Sequence, residues 1–137
     1  MIELSNTNAQ TLAAGQSMIF DTVLLHTGCA ECHRINSGSI NLTQRNAIYE
    51  ISFNCNIGAT TAGDTATLGI TLNGSPLQET NAITVTAVAG DLQNVSTSTF
   101  VKTCCCNNVA NTILLTNTGT TEINIGEFPR LSVKRIA

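Results

Sequence analysis

The segment of this chain best equipped for chemistry is Cys29-Ala30-Glu31-Cys32-His33. Two thiols at this spacing with an adjacent imidazole match the attachment pattern of a c-type haem, in which the sulfurs form thioethers and the histidine ligates iron. The same residues, with His26 as a fourth donor, also form a soft and borderline ligand set for zinc. Against zinc, a zinc module usually presents a second ligand pair at similar spacing, and this stretch has none. Against haem, covalent attachment requires export, and Met1 to Gln10 lack the basic end and apolar run of a secretory signal. The leading expectation is therefore no cofactor, with these thiols reduced or in a local disulfide. Zinc or haem at Cys29, Cys32, His33 and His26 is the alternative.

Cys104-Cys105-Cys106 is a second cluster. Adjacent residues of a strand point to opposite faces, so these three join one intramolecular site only across a bend, which Asn107-Asn108 could supply. In a trimer, a cysteine near the axis occurs three times, so interchain disulfides or a symmetric metal site are open to it. The competing reading is of small buried apolar groups. If the strands alternate in direction, this cluster lies at the opposite end of the fold from Cys29 and Cys32. Cys55, beside Phe53, reads as a core residue.

Acid-base and nucleophilic catalysis find no footing. Asp21, Glu50, Asp64, Glu79, Asp91, Glu122 and Glu127 are dispersed, and two histidines do not assemble a Ser/His/Asp set. Asn41-Leu42-Thr43, Asn73-Gly74-Ser75 and Asn94-Val95-Ser96 match the glycosylation triplet, but a chain rich in Asn, Thr and Ser produces such matches by chance. No catalytic residue is nominated, and the chain reads as a non-enzyme.

The elements that carry these residues are strands. Tyr49, Ile51, Phe53, Cys55 and Ile57 alternate with Glu50, Ser52, Asn54 and Asn56, the period of a strand with one buried face. Leu68, Ile70 and Leu72 alternate likewise, break at Asn73-Gly74, and alternation resumes at Ile83, Val85 and Ala87. Asn-Gly supplies the positive φ angles of a tight hairpin turn. Further strands are read at Ser17 to His26, Ser39 to Thr43, Val95 to Thr103, Asn111 to Asn117, Glu122 to Ile125 and Leu131 to Ile136. Pro129 argues for an edge, a bulge or a bend. About eight strands with regular turns and no helical period specify an all-β, antiparallel two-sheet sandwich or barrel. The expected core includes Tyr49, Ile51, Phe53, Cys55, Leu68, Ile70 and Leu72.

At 137 residues the chain suits one domain and can bury a core without staples. Residues 1–14 read as a polar N-terminal arm and residues 15–137 as a single domain, without internal repeats. Charged residues are 11% of the chain, the net charge is -3 and the basic residues are scattered, which excludes a nucleic-acid footprint. No run is long and apolar enough for a membrane helix. The chain reads as soluble and made in the cytoplasm.

Gly15-Gln16-Ser17-Met18-Ile19-Phe20, Ser39-Ile40-Asn41-Leu42, Ala47-Ile48-Tyr49-Glu50-Ile51-Ser52-Phe53, Ile70-Thr71-Leu72-Asn73-Gly74, Ile113-Leu114-Leu115-Thr116-Asn117 and Leu131-Ser132-Val133-Lys134-Arg135-Ile136 follow in an order that resembles C1q/TNF-like jelly rolls. More narrowly, the pattern is similar to the collagen-associated C-terminal domains of Firmicute spore-surface glycoproteins and to related modules on phage structural proteins. The resemblance covers roughly residues 12–136 and implies a jelly roll of about eight strands that forms compact homotrimers, with no catalytic residues. Unlike the spore-surface proteins, this chain has no Gly-X-Y stem, and Ala47 stands where such domains often have glycine. What the resemblance implies is a homotrimeric structural protein decorating a phage capsid or head fibre, on the virion surface, attached to its shell through the N-terminal arm. The alternatives are a glycan-binding jelly roll on a spore or cell surface, and a metal- or haem-binding protein using Cys29, Cys32 and His33. The absence of Trp and the expected burial of Tyr49 argue against a sugar-stacking platform.

Overall fold

The computed structural model describes residues 1–34, 36–103 and 111–137. In chain order its strands are β1 (Ile2–Ser5), β2 (Gln10–Leu12), β3 (Thr22–His26), β4 (Glu31–His33), β5 (Ile40–Leu42), β6 (Ile48–Ala59), β7 (Thr65–Leu72), β8 (Ser75–Pro76), β9 (Ala82–Val85), β10 (Gln93–Lys102), β11 (Asn111–Thr116), β12 (Ile123–Ile125) and β13 (Arg130–Arg135). One 3-10 turn, Gln78–Thr80, separates β8 from β9. The strands form two antiparallel sheets. Sheet A contains β1, β2, β3, β6, β10, β12 and β13, and sheet B contains β4, β5, β7, β8, β9 and β11. The architecture is the all-β, antiparallel two-sheet sandwich that the alternation specifies, in the jelly-roll form that the resemblance implies.

β6 organises sheet A. Its odd-numbered residues, Tyr49 to Ile57, are buried between the sheets, and its even-numbered residues, Glu50 to Asn56, face outward. β10 pairs with one edge along its length, while β13 and then β12 pair end to end along the other. The break between β12 and β13 falls at Gly126 to Pro129, where Phe128 takes a φ of 58°. Breaks of this kind split long tracks into short strands, so more strands are present than the turn spacing alone implied.

Sheet B supplies the opposing layer: Ile40 and Leu42 from β5, Ala66, Leu68 and Ile70 from β7, and Ile113 and Leu115 from β11 are all buried, while Leu72 at the end of β7 is half-buried. The Asn73-Gly74 turn has φ of 52° and 83°, the two positive values that a type I′ hairpin requires. Its return strand is only Ser75–Pro76, and the 3-10 turn intervenes before β9 pairs with the first half of β7.

Residues 1–14 are not a free arm. β1 lies between β13 and β3, β2 pairs with β12, and Ile2, Leu4 and Leu12 are buried in the core. Three apolar residues spaced along two short strands suffice to seat a segment whose other side chains are polar. The folded body therefore begins at Ile2.

β9 also departs from the sequence pattern. Ala82 and Thr84 on this strand, and Thr86 just beyond it, face inward, whereas Ile83, Val85 and Ala87 are exposed. The reason is hydrogen bonding. Thr86 Oγ1 accepts the Ala59 N–H at 2.7 Å where β6 runs beyond its neighbour, and Thr84 Oγ1 bonds the Gln93 side chain. Thr80 does the same for the Ile70 N–H at 2.8 Å, and Thr103 for the Ala47 N–H at 2.9 Å. A buried N–H without a partner costs about 1–3 kcal/mol, which gives buried threonines an advantage over apolar residues here.

Candidate interaction face

The cysteine and histidine residues of the 26–33 segment are not gathered into a ligand set. β4 alternates like any strand, so Glu31 and His33 point inward while Cys32 points out beside Asn41, its register partner on β5. Cys29 is exposed in the preceding turn. His26 Nε2 donates to the Glu31 carbonyl at 3.1 Å, and His33 Nδ1 donates to the Ser39 carbonyl at 3.0 Å. In the neutral His33 ring this leaves Nε2 as the lone-pair nitrogen, and it is buried without a partner beside the edge of Phe20. Cys32 and His33 therefore lie on opposite faces of one strand. Among the described residues, no group of three or more His, Cys, Asp or Glu side chains is placed to hold a metal ion.

Cys104, Cys105 and Cys106 lie outside the described residues. The residues bounding them do not lie at the end of the sandwich opposite Cys29. Thr103 Oγ1 donates to the Gln44 carbonyl, Gln44 N–H donates to the Tyr49 hydroxyl, and that hydroxyl donates to the Ala30 carbonyl at 2.8 Å. Asn111 is in register with Leu42, and Leu42 with Glu31. The short strand β4 adds one chain reversal, and that reversal moves Cys29 to the end where β10 finishes.

Cys55 is buried among apolar neighbours, and desolvation pushes its thiol up to about 12. It is an inert core thiol, since the thiolate is the reactive form. Tyr49 is fully buried, and burial raises its phenol as well. Glu31 was not singled out by spacing, yet it is a fully buried carboxylate. Its Oε2 accepts from the Met1 nitrogen at 2.9 Å and its Oε1 from the Arg135 N–H at 3.1 Å, which ties the start of β1 and the end of β13, neighbouring strands of sheet A, to β4 at the edge of sheet B.

The outer faces of the two sheets differ. On sheet B, the outward residues Thr67, Gly69, Thr71 and Thr116 are all buried. A Cβ on Gly69 would fall on the Asn81 side chain and come within 3.3 Å of Thr118, so the chain itself covers the centre of this face, while Thr65 on β7, Ile83 and Val85 on β9 and Cys32 on β4 stay exposed. On sheet A, Asn54, Asn56, Asn94, Ser96, Ser98, Phe100, Arg130 and Lys134 all point outward and are exposed. The turn at Asp91-Leu92 covers this face only at one end, over Gly58 and Gly126.

The uncovered part of sheet A is laid out in rows. Phe100, Glu50 and Lys134 are register partners across β10, β6 and β13. The next row is Ser98, Ser52, Ser132 and Glu3, with Ser132 donating to Glu3 at 3.2 Å. Ser96, Asn54 and Arg130 form the third. The last two rows line an open groove of about 450 Å³ floored by Phe53 and Thr97. Phe100 is 65% exposed, in the row of Glu50 and Lys134. Its outward direction follows from the alternation that turns Val95, Thr97, Thr99 and Val101 inward.

No protein-family model matches this chain, and no curated protein matches it in sequence. Solved structures do match it. Murine APRIL, crystallised at pH 5.0, superposes with a TM-score of 0.62 at 11% identity, covering 97% of this chain and 96% of that one. PRD1 vertex protein P5 superposes with a TM-score of 0.55 at 13% identity, covering 99% and 96%. The chain thus has the C1q/TNF-like jelly-roll fold, from end to end. At such identities the likeness defines architecture and leaves activity to the surface.

Proposed function

We propose that this protein is a non-enzymatic structural module, a homotrimeric jelly roll displayed on a virion surface as a capsid decoration or head-fibre component. The observation that carries the reading is the contrast between the centres of the outer faces: over β7 and β11 sheet B is covered by its own chain, whereas over β6 sheet A leaves a polar face of mixed charge and an exposed Phe100 open. An exposed aromatic on an open sheet face is suited to subunit contact, where such residues anchor the patch. The TNF-like fold supports a threefold assembly, and the likeness to a PRD1 vertex protein supports a virion setting. Because β1 and β2 are built into sheet A, attachment to a shell uses a surface of the folded body in place of a free arm.

Light scattering on the purified protein tests this reading. It is expected to give about three times the chain mass of 14.4 kDa at micromolar concentration. A single-chain mass there overturns the reading.

A glycan-binding surface module is the second reading, favoured by the Ser- and Asn-lined groove with Arg130 at its side. Its requirement is a glycan-array signal that Arg130→Ala abolishes.

A further inference from the structure

Asn73-Gly74 is the one Asn-Gly pair in the chain, and both residues are exposed. The hairpin turn selects this pair because each residue takes a positive φ, 52° and 83°. The same pair is chemically labile. Glycine places no side chain beside its own nitrogen, so that nitrogen can attack the asparagine carboxamide and close a succinimide. A Cβ on Gly74 would meet nothing within 4 Å, so the turn is open to water.

The bonds that hold Asn73 bear directly on this reaction. Its main-chain N–H donates to the Thr112 carbonyl at 2.9 Å, and its Oδ1 accepts the Thr112 N–H at 2.8 Å. Its Nδ2 donates to Asn111 Oδ1 at 3.3 Å. Leu72 is the register partner of Ile113, so Asn73 extends the β7–β11 ladder by a residue, with its side-chain oxygen in place of a main-chain carbonyl. The Thr112 N–H can only donate, which fixes the carboxamide oxygen toward Thr112 and the nitrogen toward Asn111. A succinimide is a near-planar ring that includes the Asn73 Cα–C bond. Closing it therefore rotates the turn out of the type I′ conformation and pulls the carboxamide off β11.

We infer that Asn73 is a modification site gated by β11: it deamidates when the β7–β8 hairpin is released from β11 and is preserved while the two are joined. The Gly74 nitrogen bonds to the Asn73 side-chain carbonyl carbon, the amide carbon–nitrogen bond breaks, and ammonia leaves with the proton from Gly74. Water then opens the ring at either carbonyl, giving an aspartyl or an isoaspartyl residue. The aspartyl product keeps an acceptor for the Thr112 N–H. The isoaspartyl product adds a methylene to the main chain of a two-residue turn, whose length sets the hairpin register, so the Leu72–Ser75 pairing is not recovered. A chain that has spent time unfolded is thereby marked at this hairpin.

Peptide mapping by mass spectrometry, with aspartate and isoaspartate separated by chromatography, tests this on the full chain at mildly alkaline pH, folded or in guanidinium chloride. Amide-to-acid conversion at Asn73 is expected in denaturant and to be at least about 10-fold slower in the folded protein, because ring closure breaks two hydrogen bonds. Asn111→Ala removes the acceptor of Nδ2 and is expected to speed the folded-state reaction roughly 3-fold, while Asn111→Asp keeps an acceptor there and stays within about 2-fold of wild type. A denatured chain unmodified at Asn73 overturns the site. Equal rates in the folded and denatured wild type overturn the gating, a comparison that needs no variant to fold. A folded Asn111→Ala as slow as wild type overturns the part assigned to the Asn111 bond.

Discussion

The two sheets share one core and solve their outer faces differently. Sheet B closes the centre of its own: the Asn81 side chain and Thr118 sit over Gly69, and the outward Thr67 and Thr71 of β7 are buried. Sheet A leaves Ser, Asn, Arg, Lys and one phenylalanine in the open between Glu50 and Asn56. A face that a single chain already covers has spent its side chains on that chain's stability. An uncovered one is free to be selected for contact with something else. The difference identifies where function should be sought in a molecule without a gathered set of reactive groups among its described residues.

That contrast holds only if the layer between the sheets is sealed, and Cys55 reports on the seal. Its folded thiol titrates near 12 against 9.0 for an unburied one. A raised value means that the stabilisation is complete below pH 9.0 and is lost as pH rises toward about 12. On the order of 4 kcal/mol is at stake over that window. Denaturant melts of wild type and Cys55→Val from pH 8 to 12 are expected to show a steeper loss for wild type. Parallel slopes would mean that water reaches the core. Peptide mapping after alkylation under native conditions is expected to find Cys29 and Cys32 modified and Cys55 protected, as their exposures require.

The outer faces themselves are probed by matched substitutions. Gly69→Val, on the covered face, is expected to cost about 1–3 kcal/mol, because the new side chain must displace Asn81 and Thr118. Ser98→Val, on the open face, is expected to stay within about 0.5 kcal/mol in the unfolding of the isolated chain. Chemical denaturation at concentrations below assembly compares the two, and equal costs would break the contrast. Thr80→Val leaves the Ile70 N–H without its 2.8 Å acceptor inside sheet B, for an expected loss of about 1–3 kcal/mol.

The smallest effect is expected at Asp21, in the connection leading to β3. Hydrogen bonds from the Thr22 hydroxyl and then the Thr7 hydroxyl hold its carboxyl below the ordinary 3.8. A lowered value gives stabilisation that is present above pH 3.8 and lost as pH falls through the folded value. Asp21→Asn should flatten the acid limb of the stability curve slightly without changing it near neutrality, which an acid titration followed by circular dichroism would register.

Much of this was legible in the sequence, and the exceptions have physical causes. The alternation of Tyr49 to Ile57 against Glu50 to Asn56 defines β6 and its two faces, and Asn73-Gly74 forms the turn its φ preferences require. The face of β9 was not legible, because hydropathy favours burying Ile83 and Val85 while the unpaired Ala59 N–H requires Thr86 within. Residues 1–14 look polar in composition, yet Ile2, Leu4 and Leu12 are enough to seat them in sheet A. The spacing of Cys29, Cys32 and His33 suggests a ligand set only until β4 is recognised as a strand that sends Cys32 and His33 to opposite faces. The interaction face was visible in part. The alternation of β10 already turns Phe100 outward, but only the covering over β7 and β11 shows that the centre of sheet A is left open by contrast.

Residue-level hydroxyl-radical footprinting of the purified, assembled protein tests the central claim most directly, through two side chains that a single chain exposes almost equally. Phe100 on sheet A is 65% exposed and Ile83 on β9 is 62% exposed. If copies of the chain cover the open face of sheet A, Phe100 is protected at micromolar concentration while Ile83 remains labelled, and dilution restores labelling of Phe100. Equal labelling of the two at every concentration would contradict the account.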